Sequence, residues 1–278
     1  MKHRIVYQGE PGANSHIACQ DVFPDMEAVA CATFDDCFAA MENDEAQFAM
    51  IPLENSIAGR VADIHSLLPH AGLSIIGEHF MPIRFQLMSV AGATLQTLKT
   101  VESHVMALGQ CRKMLRKLKL KPIVAADTAG AAHTISEAKD VTRGALAPAL
   151  AAKIYGLKIL KEDCQDADHN TTRFVILSKE AKRPAQNIPS ITTFIFRVKN
   201  IPAALYKALG GFASNGVNMT KIESYMVGGE FAATMFYADV EGHPDDPGLQ
   251  HAFQELTFFT DEFRILGVYP AHGFRKKP

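Results

Sequence analysis

Short apolar runs alternate with helical spacing through most of the chain. Runs at residues 4–8, 47–51 and 143–147 are each typical of a strand, and a turn followed by a helical pattern comes after each one. Repeated strand–turn–helix units predict a mostly parallel α/β sheet. A long apolar crossing near residue 80 and a return near residue 165 predict two lobes with a cleft between them.

One segment of the predicted α/β region is strongly basic. Residues 108–118 have apolar positions at helical spacing, and Arg112, Lys113, Arg116 and Lys117 fall between them. This pattern predicts one amphipathic helix whose charges form a solvated face.

The pattern changes after residues 179–189, which are charged and contain two prolines. Such a segment is typical of a linker. The order that follows is strand, helix, two strands, helix, strand, with Gly228-Gly229 as a hairpin turn between the two central strands. This βαββαβ order predicts a second, smaller domain with a ferredoxin-like fold.

Composition narrows the class of protein. A chain of 278 residues is long enough for two domains, and 47% hydrophobic with 21% charged residues is typical of a soluble globular protein. The formal net charge of −2 argues against a nucleic-acid partner. Strand-like residues 5–7 follow the first residues directly and no stretch has the length of a membrane span, so we expect no signal peptide, no membrane partner and a cytoplasmic location.

Cysteine and histidine usage gives no sign of a metal centre. The five cysteines contain no C-x-x-C pair, and the eleven histidines contain no H-E-x-x-H motif. We therefore expect buried or half-buried thiols in a reducing compartment, no metal and no cofactor. The cysteines are Cys19, Cys31, Cys37, Cys111 and Cys164.

Polar clusters stand at the ends of three predicted strands. Residues 9–15 and 52–61 each follow a strand and precede a helix, and residues 168–174 run into the apolar residues 175–177. In open α/β sheets such strand ends line the crevice where ligands bind. The structural alternatives are an ordinary turn, a helix cap and a capped loop entering a core strand.

Together these clusters resemble prephenate dehydratase with a C-terminal ACT regulatory domain, over essentially the whole chain. The most specific matches are the segments 52–59 (PLENSIAG) and 170–174 (NTTRF). Residues 9–15, Ser103-His104, Gln110-Cys111 and 155–157 also match, and residues 216–224 match the second ACT strand. The resemblance implies a periplasmic-binding-protein-like catalytic domain at 1–182, with lobes 1–80 plus 165–182 and 81–164, and an ACT domain at 190–272.

The implied reaction is loss of carbon dioxide and hydroxide from prephenate, which gives phenylpyruvate in phenylalanine biosynthesis. Thr172 matches the family's essential threonine, which would donate a hydrogen bond to the leaving oxygen, and Arg173 would hold a carboxylate. The implied catalytic residues are Glu54, Asn55, Ser56, Thr172, Arg173 and Phe174. The implied substrate-binding residues are Ser15, Ser103, His104, Thr128, Asn170 and Thr171.

The resemblance also implies L-phenylalanine as an effector and a homo-oligomer, a dimer or tetramer, assembled through the ACT and catalytic domains. The implied effector-binding residues are Ala203, Ala204, Leu205, Asn218, Met219, Thr220, Glu223 and Ser224.

Four departures from the family pattern affect the cleft and the effector segments. Asn14 replaces an aromatic residue and Val105-Met106 replaces Pro-Gln near the cleft, while Ala203 replaces a glycine and Tyr225-Met226 replaces Arg-Pro in the effector segments.

Two alternative functions stay open. Arogenate dehydratase shares every motif, and a non-catalytic amino-acid-binding sensor would share the two-lobed cleft.

Overall fold

The computed structural model describes residues 3–226 and 234–276. The chain forms two compact units. The first unit comprises Met1–Arg60 and Phe80–Phe174, and the second comprises Val61–His79 and Val175–Pro278. The domain boundaries inferred from the sequence stay a prediction. Within the part of the chain that the structure describes, no helix is long and apolar enough to cross a membrane.

Strands and helices alternate along most of the chain. The strands are β1 (Arg4–Gln8), β2 (Glu27–Cys31), β3 (Phe48–Asn55), β4 (Gly59–Arg60), β5 (Ser74–Pro82), β6 (Gln86–Ser89), β7 (Thr100–Ser103), β8 (Lys121–Val124), β9 (Arg143–Ala147), β10 (Lys158–Lys161), β11 (Thr171–Ser178), β12 (Ser190–Val198), β13 (Met219–Met226), β14 (Thr234–Glu241) and β15 (Thr260–Pro270). The α-helices are α1 (Asn14–Val22), α2 (Phe34–Glu42), α3 (Ala62–Leu67), α4 (Val105–Gln110), α5 (Arg112–Lys117), α6 (Thr128–Ala138), α7 (Ala149–Tyr155), α8 (Ala204–Ser214) and α9 (Pro247–Phe258). Two 3-10 helices cover Leu68–His70 and Gly273–Lys276.

The first unit contains two sheets, which confirms the two-lobed α/β prediction. In the first lobe β1 lies between β3 and β2, and both pairings are parallel. Because all three strands run the same way, the loops after β1 and β3 open at the same edge of the sheet. The sequence did not indicate β2, whose residues are only half-buried or exposed.

The second lobe is a five-stranded sheet in the order β10-β6-β9-β7-β8. β7 pairs in parallel with β8 and β9, whereas β6 is antiparallel to both β9 and β10. The predicted parallel arrangement therefore holds in the first lobe and only in part here. Helices α6 and α7 pack their alanine faces on this sheet, in a core that includes Met88, Ala132 and Ala151.

The predicted helix at 108–118 is wrong in one respect, because the segment breaks at Cys111 into α4 and α5. The backbone N–H of Lys113, in the first turn of α5, donates to both carboxylate oxygens of Asp166 at 3.2 and 3.1 Å. A carboxylate that accepts from a first-turn N–H stabilises a new helix start. The basic side chains of α5 are exposed, as predicted.

The second unit confirms the βαββαβ order as β12-α8-β13-β14-α9-β15. Its sheet order is β13-β14-β12-β15-β5, with β5 parallel to β15. Gly267 of β15 lies so close to the backbone of Ile75 in β5 that a Cβ would have no room. Residues 179–189 contain no helix or strand, and the Gly228-Gly229 turn lies outside the described residues. A cluster of stacked and edge-on rings fills the core between sheet and helices: Phe194, Phe196, Phe212, Phe236 and Phe253.

Candidate functional site

A cavity of about 330 Å³ lies in the first unit where the polar strand ends of both lobes meet. The loop after β1 and the end of β3 form one wall, and the starts of α4 and α6 form the other. Residues of β11 close the base. The lining residues are Gln8, Gly9, Ala13, Asn14, Ser15, Pro52, Asn55, Ala58, Ile83, Phe85, His104, Met106, Ala107, Gln110, Ala126, Asp127, Thr128, Thr172 and Phe174. We call this cavity the cleft.

The side-chain amide of Asn55 has a fixed orientation in the cleft. Its oxygen accepts from the backbone N–H groups of Ile57 and Ala58 at 3.0 and 2.8 Å. Its nitrogen therefore points the other way and donates to Asn170 Oδ1 at 2.8 Å and to Thr172 Oγ1 at 2.9 Å. An amide nitrogen has two hydrogens, so both are used.

The Thr172 hydroxyl is left with its own hydrogen to donate. Its oxygen already accepts from Asn55, and no acceptor for its O–H occurs among the described residues. Asn170 supports this arrangement, because its nitrogen donates to Gln110 Oε1 at 2.7 Å and its oxygen is thereby turned toward Asn55. The chain Gln110–Asn170–Asn55–Thr172 presents one hydroxyl donor to the cleft.

Alternation along β11 divides residues 172–174 of the matched motif between two faces. Thr172 and Phe174 line the cleft, whereas Arg173 is 3% exposed and does not. The Arg173 guanidinium donates to Glu54 Oε1 at 2.9 Å and lies 5.9 Å from the centre of the Phe80 ring. Successive side chains of a strand point to opposite faces, which explains the division. Glu54 and Arg173 therefore meet each other outside the cleft lining.

Three other expected site residues hold backbone segments together. The Ser56 hydroxyl donates to the carbonyl of His169 at 2.6 Å and accepts from the backbone N–H of Thr171 at 2.9 Å. The Ser103 hydroxyl is fully buried and donates to the carbonyl of Leu146 at 2.6 Å. None of Ser56, Thr171 and Ser103 is among the cleft-lining residues.

Helix starts at the cleft differ in how they are capped. Asp127 caps α6 by accepting from the Gly130 N–H at 2.6 Å, and His104 caps α4 by accepting from the Met106 N–H through Nδ1 at 3.3 Å. The N-cap of α1 is Ala13, which makes no side-chain cap. Asn14 and Ser15 begin α1 and both line the cleft. The first-turn N–H groups of α1 are thus open to an anionic ligand.

Formal charge is scarce in the cleft. Among its described lining residues Asp127 is the only carboxylate, and none is a lysine or arginine. Ile83, Phe85, Met106 and Phe174 supply apolar wall. An anionic ligand must therefore be held mainly by neutral N–H and O–H donors.

Of the site residues implied by the sequence, the structure brings Ser15, Asn55, His104, Thr128, Thr172 and Phe174 to the cleft lining. Gln110 and Asp127 also line it, although neither was among the implied site residues. Both could have been proposed from the sequence, because Gln110 lies within a matched segment and Asp127 stands at the start of a predicted helix. Asn14, a departure from the family pattern, lines it as well.

The five cysteines are free, and all but the half-buried Cys31 are buried. Burial raises the pKa of Cys19 to about 12 and also raises the pKa values of the other four thiols. The prediction of buried or half-buried thiols is confirmed. Within the described ranges, no group of three or more His, Cys, Asp and Glu residues could hold a metal ion.

A second cavity, of about 320 Å³, lies in the second unit where β12 passes into α8. Three of the expected effector residues, Ala203, Ala204 and Leu205, line it. Ala203 has φ of 61° and ψ of 15°, the left-handed conformation that favours glycine. Expected effector residues on β13, including Thr220 and Glu223, are outside its lining. We call this cavity the turn cavity.

The family model for prephenate dehydratase matches residues 5–182, the part of the chain that contains the cleft. The chain belongs to the prephenate dehydratase family. Prephenate dehydratases are lyases, so the predicted enzyme class is confirmed.

Relatives of this prephenate dehydratase family member match along nearly its whole length. The bifunctional N-acyl-homoserine lactone acylase/prephenate dehydratase of Komagataeibacter europaeus is 49% identical over 275 residues, which cover 99% of this chain and 98% of the relative. The chloroplastic arogenate dehydratase/prephenate dehydratase 1 of Arabidopsis thaliana is 38% identical, covering 97% of this chain and 72% of the relative.

Solved structures agree with this assignment and confirm the fold class. The crystal structure of prephenate dehydratase from Arthrobacter aurescens in complex with L-Phe superimposes with a TM-score of 0.90 at 28% identity, covering 99% of this chain and 92% of that one. A structure described as a quorum-quenching acylase gives a TM-score of 0.93 at 48% identity, covering 99% and 100% of the two chains.

Proposed function

We propose that this protein catalyses the decarboxylating dehydration of prephenate to phenylpyruvate. The observation that carries the proposal is the hydrogen-bond chain that ends at Thr172. Asn55 donates to Thr172 Oγ1, so the threonine hydrogen is left for a group in the cleft. The reaction needs one donor at the departing hydroxyl, and the family match covers both residues.

The chemistry balances without a redox step. The C–C bond to the ring carboxylate breaks and releases carbon dioxide, and its electron pair completes the aromatic ring. The C–O bond at the opposite ring carbon breaks, and the departing hydroxide takes up a proton to become water. A threonine hydroxyl is a weak acid, so in this proposal Thr172 stabilises the leaving oxygen by a hydrogen bond that strengthens as negative charge develops.

Neutral donors hold the two substrate carboxylates in this proposal. The uncapped start of α1 offers N–H groups to one carboxylate, together with the hydroxyl of Ser15. His104 accepts through Nδ1, so a neutral ring carries its hydrogen on Nε2 and can donate to the other. The apolar side chains Ile83, Phe85 and Phe174 limit the water that reaches the ring carboxylate, a condition that favours its loss as carbon dioxide.

Arg173 and Glu54 act on the strand in this proposal. Their ion pair lies on the face of β11 opposite the cleft, and a buried arginine already paired with a carboxylate is a poor ligand for substrate. The pair fixes the β3–β11 contact, which in turn fixes the distance between Asn55 and Thr172. This assignment replaces the carboxylate-binding role expected for Arg173 from the sequence.

Regulation by L-phenylalanine belongs to the same proposal. The βαββαβ region would act as an ACT domain in a homo-oligomer, and the turn cavity would receive the amino acid. A related structure holds L-Phe, and α8 begins after Ala203, whose side chain makes no cap. Free N–H groups at the start of α8 suit the effector carboxylate.

The direct test is to incubate the purified protein with prephenate and, in parallel, with arogenate, and to follow phenylpyruvate by absorbance and phenylalanine by chromatography. Faster conversion of prephenate supports the proposal. Faster conversion of arogenate assigns the protein to the other substrate, and conversion of neither rejects both. Asn55→Asp is the matched variant, because its carboxylate would accept the Thr172 hydrogen and turn it from the cleft. We expect this variant to lose at least about tenfold in kcat.

A second candidate function is hydrolysis of N-acyl-homoserine lactones. The 49% identical relative is a bifunctional acylase/prephenate dehydratase along nearly its full length. In addition, Met106 stands in the cleft wall where the family pattern has glutamine, which gives an acyl chain an apolar surface. Incubation with N-decanoyl-homoserine lactone should then release decanoate and homoserine lactone, detected by mass spectrometry. Absence of both products, in a preparation that converts prephenate, rejects this second activity.

A further inference from the structure

Two features that match the family pattern have no role in the proposed chemistry, namely residues 9–12 of the turn after β1 and Tyr155 at the end of α7. The structure brings them into contact. The Tyr155 hydroxyl donates to the carbonyl of Pro11 at 2.9 Å, across 144 positions of sequence. Pro11 belongs to the first lobe and Tyr155 to the second.

The backbone of Gly12 completes this contact. A Cβ at Gly12 would lie 2.7 Å from the Cα of Ala151 in α7, and Gly12 has φ of +94°. Both the space and the backbone angle therefore require glycine. Ala151 is fully buried, so α7 has little freedom to move away. The first-lobe turn rests directly on the helix of the second lobe.

The turn that contains Gly12 and the residue Tyr155 are each held in place by contacts within their own lobe. The Gly9 N–H donates to the carbonyl of Cys31 at 2.9 Å, and the Gly12 N–H donates to His16 Nδ1 at 3.0 Å. On the other side, the ring of Tyr155 stacks on His133 with 4.9 Å between ring centres. The contact thus joins two fixed bodies.

We propose that the Tyr155–Pro11 hydrogen bond and the Gly12–Ala151 contact form a latch that holds the two lobes at the separation needed for substrate binding. Tyr155 is a positioning residue, since it does not line the cleft. The same turn continues into Asn14 and Ser15, which do line it and which face the second-lobe residues His104 and Thr128. The latch sets the distance between these two groups of ligands. This inference rests on the proposed function for its kinetic test.

Tyr155→Phe removes the hydrogen bond and keeps the ring stacking. Without the latch, the free protein spends part of its time with the lobes apart, and KM rises by the reciprocal of the fraction that remains competent. One hydrogen bond corresponds to a rise of about 3- to 10-fold in KM. Saturating substrate draws the lobes together again, so kcat should stay within about twofold. A purely structural role would lower thermal stability and leave KM unchanged.

Ser89→Ala is the matched control. Its hydroxyl also donates to a backbone carbonyl, that of Arg143 at 2.6 Å, but both residues lie in the second lobe. Its removal should lower thermal stability and leave KM and kcat as they are. Gly12→Ala tests the other half of the latch, and its KM should exceed that of Tyr155→Phe. If Gly12→Ala does not fold, Tyr155→Phe decides.

Amide hydrogen exchange provides a readout that does not depend on activity. In Tyr155→Phe, peptides covering residues 9–15 and 149–155 should both exchange about 3- to 10-fold faster than in the wild type. The Ser89→Ala protein should not show this paired change. Unchanged KM and unchanged exchange in Tyr155→Phe would overturn the latch. A wild type that does not convert prephenate would instead reject the proposed function, and the exchange result would still decide the latch.

Discussion

The cleft and the turn cavity have almost the same volume, about 330 and about 320 Å³, but they are built from different groups. The cleft depends on side chains that hydrogen-bond to each other across more than a hundred positions, as Asn55 does with Thr172. Among the described residues that line the turn cavity, no side chain hydrogen-bonds to another. What distinguishes the turn cavity is the left-handed backbone conformation of Ala203.

This difference shows which substitutions each cavity tolerates. In the cleft, the identity of a residue decides the direction of a hydrogen bond, so replacing one amide reorients its neighbours. In the turn cavity, a residue matters chiefly through the conformation that it allows. Changes of side chain on β13, such as Tyr225 and Met226, should therefore affect regulation less than changes at the turn.

The largest expected effect is on catalysis by Thr172. Thr172→Ala removes the only hydroxyl at the end of the cleft hydrogen-bond chain, so kcat should fall by about 10²-fold or more. KM should change little, and Thr172→Ser should recover part of the rate because it restores the donor. Steady-state kinetics with prephenate measures both. A near-normal kcat for the alanine variant would remove Thr172 from the mechanism.

The next largest effect is on stability, and it tests whether Arg173, on the face of β11 away from the cleft, has a structural role. Glu54→Gln removes the carboxylate charge that pairs with the buried Arg173, so the free energy of unfolding should fall by about 1–3 kcal/mol, with KM unchanged. Asp163→Asn is the control, since its ion pair with Arg84 is exposed and should contribute less than about 1 kcal/mol. Urea unfolding measures both variants. A raised KM with unchanged stability would return Arg173 to the substrate site.

The motif at 170–174 is recognisable from the sequence, but a motif match does not show that its residues divide between two faces of a strand. Matching a motif gives equal weight to consecutive residues, whereas strand alternation places Thr172 and Phe174 on one side and Arg173 on the other. Strand alternation follows from the sequence once residues 171–178 are recognised as a strand. The sequence thus grouped Thr172 and Phe174, which line the cleft, with Arg173, which pairs with Glu54 outside the lining.

Other features depend on contacts that a local pattern does not contain. The break between α4 and α5 coincides with the contact from Asp166 to Lys113, 53 positions apart. Periodicity over residues 108–118 cannot reveal a cap that comes from elsewhere in the chain. The position of Gln110 in the cleft also depends on a distant contact, because its hydrogen-bond partner Asn170 is 60 positions away. Short half-exposed strands such as β2 lack the apolar run that would have marked them.

A smaller effect concerns acid sensitivity in the first unit. Burial lowers the pKa of His16 from its ordinary value of 6.5, and His16 Nδ1 accepts the Gly12 N–H only when that nitrogen carries no hydrogen. The stabilisation is therefore fully present above pH 6.5 and decreases as the pH falls from 6.5 toward the lowered pKa. Urea unfolding across this range should show the loss, and His16→Gln should flatten it. An identical slope in both proteins would contradict this role.

The smallest expected effect comes from changing the backbone preference at Ala203, which lines the turn cavity. Ala203 adopts a left-handed conformation that costs an L-residue more than glycine, so Ala203→Gly should raise the free energy of unfolding by about 0.5–1 kcal/mol. Lys139→Gly is the matched control, because Lys139 also has positive φ, at 50°, but lies in the first unit. Both variants should gain stability in urea unfolding. Only Ala203→Gly should tighten L-phenylalanine binding in calorimetry, by about 2- to 5-fold, because removal of this methyl group leaves more room in the turn cavity beside the start of α8. Equal affinity for L-phenylalanine in the wild type and both variants would contradict binding of the effector in the turn cavity.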